Sequence, residues 1–277
     1  MLGKVLVIDV AECVGCYCCQ IACKDEHVGN DWSPYAKPQP DTGHFWLKVE
    51  EMERGTIPKV KVTYTPILCM HCDDAPCIPA CPDNAIVKRE DSVVLIKPEK
   101  CSGCKLCLDA CPYGVIYFNS ELNIAQKCTL CTHLLDKGWS ETRCVGACQR
   151  EALILGEEDD LKIKSLIEKG EVLHPEYGTK PRVYYLNLPK PFIAGTIVDP
   201  STRECVEGAT VVALDLVEGV RYQTVTDEFG DFWLRDLKWM HRYLIEVSKE
   251  GYASKKVCIA YTAKDVNLGT ITLTKRL

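Results

Sequence analysis

The stretch Cys101-Ser-Gly-Cys-Lys-Leu-Cys-Leu-Asp-Ala-Cys-Pro112 packs four cysteines and a closing proline into twelve residues. Its spacing, C-x2-C-x2-C-x3-C-P, puts three thiols on one tight loop, from which they can reach three corners of a cubane 4Fe–4S cluster. The fourth cysteine follows in a short helix that starts at the loop, so its side chain faces away from that cluster. The fourth thiol therefore serves a different cluster, and one such stretch alone completes no site.

Stretches of this kind occur four times before Glu151. The second has a C-x4-C step in its middle and is followed by Pro82, and the fourth has a twelve-residue insertion between its second and third cysteines. Together they use sixteen of the 19 cysteines. In chain order the four sets are Cys13, Cys16, Cys19 and Cys23; Cys69, Cys72, Cys77 and Cys81; Cys101, Cys104, Cys107 and Cys111; and Cys128, Cys131, Cys144 and Cys148.

The order of the sets predicts which of them exchange their last cysteines. The second and third sets are neighbours, separated by the strand-like segment Ser92–Ile96, and form a compact two-cluster unit, while the first and fourth sets flank it and pair with each other. This pairing predicts four 4Fe–4S clusters with cysteine ligands throughout. The ligands are Cys13, Cys16, Cys19 and Cys148 in group 1; Cys23, Cys128, Cys131 and Cys144 in group 2; Cys69, Cys72, Cys77 and Cys111 in group 3; and Cys81, Cys101, Cys104 and Cys107 in group 4.

Two other uses of cysteine fit the sequence less well. Structural zinc also favours four thiolates, but zinc ribbons use two separated C-x2-C pairs, without a third cysteine two residues further on. A disulfide scaffold spreads its cysteines over a small secreted domain, and the opening MLGKVLVIDVAEC lacks the basic and long apolar regions that are typical of an export signal. Cys18, Cys205 and Cys258 fit no set, and we expect each of them to be a small buried hydrophobic residue.

Charge and hydropathy exclude several classes of partner. The formal net charge of −6 counts cysteine as neutral, and four oxidised clusters at roughly −2 each would bring it to roughly −14. A chain this acidic would repel nucleic acid, and it has no basic stripe. No apolar run approaches the roughly 18 residues of a transmembrane helix. Without its own export signal the chain is expected in the cytoplasm, or outside it if a signal-bearing partner exports it folded.

Some charged and aromatic residues lie near the predicted ligands. Lys127 and Arg143 stand beside ligand cysteines, where each either raises a cluster potential or is a solvated cation. Residues 24–68 form an insertion whose aromatic residues serve local packing or grip a partner subunit. These aromatic residues are Trp32, Tyr35, Phe45 and Trp46. We expect the histidines near the sets to donate hydrogen bonds and not to ligate clusters, because every set is already complete; they are His27, His44, His71 and His133.

Four sets in this order resemble the iron–sulfur electron-transfer subunits of the molybdopterin oxidoreductase (dimethyl sulfoxide reductase) family. The matching stretches are Ile8-Asp9, Cys69-Met-His-Cys72, Ala75-Pro-Cys77, Cys111-Pro-Tyr-Gly114 and Gln126-Lys-Cys128. The resemblance implies an α+β fold with a duplicated ferredoxin-like core and four 4Fe–4S clusters. It also implies a large catalytic partner, in a heterodimer or larger complex, that holds molybdenum or tungsten on bis(pyranopterin guanine dinucleotide).

Three further stretches are similar to the small subunits of pyrogallol–phloroglucinol transhydroxylases and resorcinol hydroxylases. They are Asp25-Glu-His27, Gly43-His-Phe-Trp46 and Glu53-Arg-Gly-Thr56. This resemblance implies an anaerobic complex that hydroxylates, transhydroxylates or dehydroxylates phenolic rings. Respiratory reductases of arsenate, polysulfide or similar substrates use the same kind of subunit and remain the alternative.

The last part of the chain has the pattern of an all-β sandwich, with seven short strands separated by turn signals. Thr226-Asp-Glu-Phe-Gly-Asp231 reads as a hairpin loop. The stretches Gly-Ala-Thr-Val-Val, Thr-Asp-Glu-Phe-Gly and Gly-Tyr-Ala resemble carboxypeptidase regulatory-like (transthyretin-like) domains, which implies structural support or subunit docking. The predicted strands are Phe192–Val198, Ala209–Leu214, Tyr222–Thr226, Asp231–Leu234, Tyr243–Val247, Lys256–Ile259 and Val266–Leu273.

The predicted organisation is a double ferredoxin-like domain at 1–155, a connector at 156–190 and a β-sandwich at 191–277. The connector contains a charged helix, Glu157–Lys169, that ends at Gly170. The leading functional hypothesis is an electron-transfer subunit with no catalytic residue of its own, because a self-contained iron–sulfur enzyme needs an iron with an open position and every set here is complete. A free polyferredoxin is the third hypothesis, and the added β domain and aromatic insertion favour a bound subunit over it.

Overall fold

The computed structural model describes residues 3–276, which divide into two compact units. The N-terminal unit comprises the residues up to Glu51 together with Thr63–Leu188. The C-terminal unit comprises Met52–Val62 together with the residues from Pro189 onward. The eleven-residue segment Met52–Val62 therefore packs with a part of the chain that is distant in sequence, an association that the sequence pattern does not predict.

The elements before Pro189 are short, and most of them flank a cysteine set. Two 3-10 turns, Pro98–Lys100 and Pro175–Tyr177, add to them. In chain order the α-helices and strands are β1 (Lys4–Asp9), α1 (Cys18–His27), β2 (Leu47–Thr56), β3 (Lys59–Leu68), β4 (Ile86–Lys88), β5 (Val94–Ile96), α2 (Leu106–Ala110), β6 (Tyr117–Asn119), β7 (Ile124–Gln126), α3 (Thr132–Leu135), α4 (Arg143–Gly146), β8 (Leu153–Glu157), α5 (Leu161–Lys169) and β9 (Val183–Leu186).

A three-stranded sheet in the order β8-β1-β9 supports the N-terminal unit. Because successive strand residues point to opposite faces, β1 divides its apolar side chains between two cores. Val5 and Val7 pack with Ile163 of α5 on one face. Leu6 and Ile8 belong on the other face to the large core that contains most of the ligand cysteines.

The region predicted as a connector, 156–190, is instead part of this sheet. Its strand β9 pairs in parallel with β1, and β8 continues through Glu157. The helix predicted from Glu157 therefore begins only at Leu161. Asp160 caps it, accepting hydrogen bonds from the backbone N–H groups of Lys162 and Ile163 at 2.7 and 3.2 Å.

Two short hairpins follow the second and third cysteine sets. Strand β4 pairs with β5 and strand β6 pairs with β7, each antiparallel over three residues. The segment Ser92–Ile96, predicted to be strand-like, thus contains strand β5, and both hairpins are short. Their small size follows from their place, because each hairpin covers one cysteine loop and has no larger sheet to join.

Strands β2 and β3 pair in a separate two-stranded sheet, whose turn end is Met52–Val62. Two basic side chains near the turn are buried and paired within the C-terminal unit. Arg54 makes a bidentate ion pair with Asp265, Nε to Oδ2 at 3.0 Å and Nη2 to Oδ1 at 2.7 Å. Lys59 forms an ion pair with Asp231. These pairs explain why this segment belongs to the C-terminal unit.

The C-terminal unit contains two sheets around one hydrophobic core. The sheets have the strand orders β13-β10-β16 and β12-β11-β14-β15, and Phe232 of the first and Tyr243 of the second are both fully buried in the shared core. The seven predicted strands are confirmed, with no end shifted by more than two residues. They are β10 (Ile193–Val198), β11 (Thr210–Asp215), β12 (Arg221–Val225), β13 (Asp231–Leu234), β14 (Arg242–Ser248), β15 (Lys255–Tyr261) and β16 (Val266–Thr272).

The predicted hairpin loop between β12 and β13 is also present. The Asp227 side chain accepts hydrogen bonds from the backbone N–H groups of Phe229 and Asp231 at 3.0 and 2.9 Å, and Gly230 has a φ of 72°. A residue with a β-carbon at Gly230 would be strained and would also contact Ile197 O at 2.5 Å. Across residues 3–276, no helix has the length and apolarity needed to cross a membrane.

Candidate metal–sulfur centres

Three of the four predicted cysteine groups surround separate cavities in the N-terminal unit. In each cavity, three cysteines come from one set and the fourth comes from another set. Apolar side chains complete the lining, including Val94 and Ile116 in one cavity and Ile86 and Ile96 in another. The cysteines are Cys13, Cys16, Cys19 and Cys148 of group 1; Cys69, Cys72, Cys77 and Cys111 of group 3; and Cys81, Cys101, Cys104 and Cys107 of group 4.

The three cavities have nearly equal volumes of about 310, 330 and 300 Å³ for groups 1, 3 and 4, counting space open to solvent. Three sites of one size and one donor set fit three copies of the same cofactor. Within residues 3–276, no three or more His, Cys, Asp and Glu side chains lie as a single metal ion would require.

The four cysteines of group 2 are electrostatic neighbours of one another. Burial raises the pKa of Cys23 well above the usual value, and the thiols of Cys128, Cys144 and Cys131 raise it further. The pKa of Cys131 is raised by burial and then by Cys144 and Cys128. The structure therefore gathers this group as well, again from two different sets.

The loops of the first and third sets have matching backbone conformations. The residue before the second cysteine of each loop is a glycine with positive φ, 68° at Gly15 and 77° at Gly103. The residue after the second cysteine also has positive φ, 59° at Tyr17 and 66° at Lys105. In both loops the helix starts at the next residue, Cys18 or Leu106. A β-carbon at Gly103 would lie 2.5 Å from Asn123 O, so glycine is required there by both conformation and space. This turn aims three thiols inward, and the fourth follows within the helix at Cys23 or directly after it at Cys111.

Backbone N–H groups donate hydrogen bonds to several of these sulfurs. Cys81 Sγ accepts one from Ala85 and Cys148 Sγ accepts one from Ala152, both at 3.3 Å and both from the residue four positions later. Such hydrogen bonds stabilise thiolate and influence the potential of a bound iron–sulfur cluster. The second and fourth sets thus share the same N–H···S geometry at their last cysteines.

Burial favours the protonated form of the metal-free Cys19 and Cys107 thiols. It raises the pKa of Cys19 to about 12, with Cys144 and Cys13 adding to the effect. Burial likewise raises the pKa of Cys107 to about 11, followed by Cys101 and Cys104. Since metals bind the thiolate, occupation of these sites must release protons.

Two histidines near the centres, His27 and His71, are neutral side chains buried in the protein interior. Burial lowers the pKa of His27 to about 3, and His133 lowers it further. Burial and then Lys127 lower the pKa of His71 far below its usual value. His71 Nδ1 accepts a hydrogen bond from the Val94 N–H at 3.1 Å, so the neutral ring carries its proton on Nε2.

The aromatic residues of the insertion pack inside the N-terminal unit more than the sequence indicated. Trp46 is fully buried, with its ring centroid 4.5 Å from that of His27. Trp32 stacks on His133 at 4.4 Å. Tyr35 donates a hydrogen bond to Asp136 at 2.6 Å. Local packing, one of the two roles considered for these residues, is the one the contacts favour.

The two cations beside ligand cysteines differ in their surroundings. Arg143 is partly exposed and lies 3.0 Å from Glu26 Oε2. Lys127 is buried, at 2% exposure.

Of the three cysteines outside the sets, Cys205 is exposed and Cys18 and Cys258 are half-buried, so the expectation that all three are buried was wrong. Cys205 lies in a loop of the C-terminal unit, where no apolar run around it signals burial.

Comparison with known protein families finds one matching domain in each of the two units. Residues 60–158 match the model of the 4Fe–4S dicluster domain, and residues 193–274 match the carboxypeptidase regulatory-like domain. The chain is therefore an iron–sulfur protein with an added regulatory-like β domain.

Three curated relatives are similar over most of their own length. The pyrogallol hydroxytransferase small subunit of Pelobacter acidigallici is 42% identical, with 97% of this chain and 98% of the relative covered. The arsenate respiratory reductase iron–sulfur subunit of Shewanella sp. (strain ANA-3) is 36% identical, covering 65% of this chain and 94% of the relative. A sulfite dehydrogenase subunit of Allochromatium vinosum is 34% identical, covering 86% of this chain and 100% of the relative. The chain thus belongs to the iron–sulfur electron-transfer subunits of the molybdopterin oxidoreductase family.

Proposed function

We propose that the sixteen cysteines of groups 1 to 4 hold four 4Fe–4S clusters and that the chain passes single electrons to or from a molybdopterin catalytic subunit. The observation that carries the proposal is the crossed composition of the groups, in which each takes three cysteines from one set and one from another. Four thiolates around an apolar cavity of this kind are the donor set that a cubane requires. When bound, the clusters supply reversible one-electron chemistry.

The chain's contribution is to place the four sites in a row and to keep water from them. Group 1 adjoins group 2, since Cys144 raises the pKa of Cys19. Group 2 adjoins group 3, since Cys69 raises the pKa of Cys128. Strand β5 lies between groups 3 and 4, with Val94 lining one cavity and Ile96 the other. The supported order is therefore 1-2-3-4.

A duplicated ferredoxin-like core within residues 1–155 accounts for this arrangement. The matched turns of the first and third sets and the matched N–H···S hydrogen bonds of the second and fourth support an internal repeat. The all-β sandwich at 191–277 stays our interpretation of the two C-terminal sheets, with Met52–Val62 added to it. We propose structural support or subunit docking as its role.

We propose that the catalytic partner is a large subunit holding molybdenum or tungsten on bis(pyranopterin guanine dinucleotide), and that the complex acts on phenolic aromatic compounds. Support comes from the relative named for pyrogallol, whose similarity covers 97% of this chain, the C-terminal unit included. The arsenate reductase relative matches only 65% of the chain. A respiratory reductase is the second candidate, because relatives named for arsenate and tetrathionate match the cysteine-rich part.

The test is anaerobic purification of the native complex by way of this chain, followed by analysis for metals, acid-labile sulfide and turnover. We expect about sixteen iron atoms and as many sulfides per chain, since four cubanes hold four of each. We also expect a large subunit with molybdenum or tungsten, and electron exchange with pyrogallol-type trihydroxybenzenes.

Different results would reject different parts of the proposal. Zinc without sulfide would reject the cluster sites. Clusters without any copurified molybdenum or tungsten subunit would favour a free polyferredoxin. Turnover of arsenate or tetrathionate with no turnover of phenols would establish the respiratory alternative. The matched control is a Cys205→Ala variant, which changes a cysteine outside the groups and should retain the full iron content.

A further inference from the structure

Lys127 is a buried cation without an anionic side chain beside it. Only 2% of the residue is exposed. Its Nζ donates hydrogen bonds to two backbone carbonyl oxygens, those of Val94 and Cys128, the second at 3.1 Å. Within the part of the chain that the structure describes, no carboxylate forms an ion pair with Nζ. Other buried basic residues of this chain, such as Arg54, do have carboxylate partners.

The position of the two acceptors places Nζ between two cysteine groups. Val94 lines the cavity of group 3, and Cys128 is a member of group 2. Electrostatics agree with this location. Burial raises the pKa of Cys77 in group 3 to about 12, and Lys127 opposes that rise. Burial also raises the pKa of Cys128, again with Lys127 opposing it.

An ammonium group in the interior is costly unless an opposite charge or a full set of hydrogen bonds compensates it. Two carbonyl oxygens satisfy two of its three N–H donors and supply no net negative charge. A bound 4Fe–4S cluster with four thiolates carries a net charge of about −2 when oxidised and one unit more negative when reduced. The compensating charge for Lys127 is therefore available from the two adjacent sites once they are occupied.

We infer that Lys127 is a buried counter-charge shared by the clusters of groups 2 and 3, and that it raises the reduction potential of both. The inference rests on the proposed function, because it needs clusters at those groups. A cation next to a cluster stabilises the reduced state, which has one more electron, over the oxidised state. Lys127 acts through its position and its charge. It makes the clusters of groups 2 and 3 easier to reduce than they would be with the thiolates alone.

The matched control is Lys100, which also stands directly before a ligand cysteine, Cys101, but is exposed to solvent and lines none of the three cavities. Water and salt screen exposed charges far more than buried ones. Loss of the Lys100 charge should therefore have little effect on any cluster.

The experiment compares full-length Lys127→Met, Lys127→Arg and Lys100→Met chains after anaerobic cluster assembly. Iron and sulfide are measured first, and each cluster's midpoint potential is then determined by redox titration followed with electron paramagnetic resonance. In Lys127→Met we expect two of the four potentials to fall, with the reduced-to-oxidised ratio at a fixed solution potential decreasing at least tenfold, which is about 59 mV for one electron. The other two potentials should not change, and Lys127→Arg and Lys100→Met should match the parent chain.

The outcomes separate this inference from the proposed function. A parent chain without iron or sulfide would reject the proposed function itself. Four intact clusters with unchanged potentials in Lys127→Met would overturn the inference alone, as would a shift of all four potentials together. Loss of iron in Lys127→Met with full retention of iron in Lys127→Arg would support the counter-charge role of Lys127, because arginine keeps the positive charge and methionine removes it. Equal loss of iron in both variants would assign Lys127 to packing and reject the inference.

Discussion

Replacing Cys111 by alanine is expected to damage the cluster held by the loop of the second set, not the one held by its own loop. Cys111 lines the cavity of group 3 together with Cys69, Cys72 and Cys77. The other three cysteines of its own set line a different cavity, that of group 4. The variant should therefore lose up to a quarter of the iron, about four of sixteen atoms if the whole cubane is lost. Cluster-resolved electron paramagnetic resonance should show that the signal of group 4 is preserved.

The matched variant is Cys104→Ala, seven residues earlier in the same set. Its side chain belongs to group 4, so the signal of group 4 should disappear or change and that of group 3 should persist. The two variants together form a reciprocal test. If both of them altered the same signal, the crossed assignment would be wrong, and the set at Cys101–Cys111 would have to serve a single cluster.

Replacing Arg54 by methionine is expected to cause the largest loss of stability in the C-terminal unit. The side chains of Arg54 and Asp265 are only 6% and 5% exposed. The arginine also donates to Lys190 O at 2.7 Å and lies over the ring of Trp239 at 5.4 Å. Removing one member of a buried pair leaves the other charge uncompensated, which costs about 3–5 kcal/mol. Urea denaturation of the full-length metal-loaded chain should show a lower midpoint urea concentration for Arg54→Met than for the parent chain.

Two controls make this prediction specific. Lys48→Met removes an exposed cation of the same strand, whose distance to Glu50 Oε1 is 3.8 Å with both side chains more than half exposed, and should cost less than about 1 kcal/mol. Adding Asp265→Asn to Arg54→Met removes the stranded charge and keeps an acceptor for the Phe192 N–H, so it should recover much of the loss. Equal midpoints for Arg54→Met and Lys48→Met would show that Met52–Val62 does not stabilise the C-terminal unit.

The parts of the fold that the sequence predicted are those with local causes. Cysteine spacing determines which thiols share a loop, and the φ of Gly103 and Lys105 follows from the tight turn that this spacing demands. Alternating apolar residues likewise predicted all seven C-terminal strands, because one face of each strand has to reach the core. The hairpin loop at Thr226–Asp231 was predictable because Asp227 and Gly230 make that turn by themselves.

The parts that the sequence did not predict depend on contacts between distant residues. Arg54 and Asp265 are 211 positions apart, and nothing around either of them indicates the other. The segment 156–190 reads as a charged connector, yet β9 is the parallel neighbour of β1 because Val183 and Tyr185 are buried on the cysteine-rich face. The burial of Lys127 was equally hidden, since a lysine beside a ligand has the same sequence signature when it is solvated.

The most direct test of the central claim is an iron anomalous-difference map from crystals of the chain purified without oxygen. We predict four separate cubane-sized peaks, each bounded by three cysteines of one set and the last cysteine of another, in the order of groups 1 to 4. Isolated peaks of single metal ions, or a cubane held by all four cysteines of one contiguous set, would contradict the account.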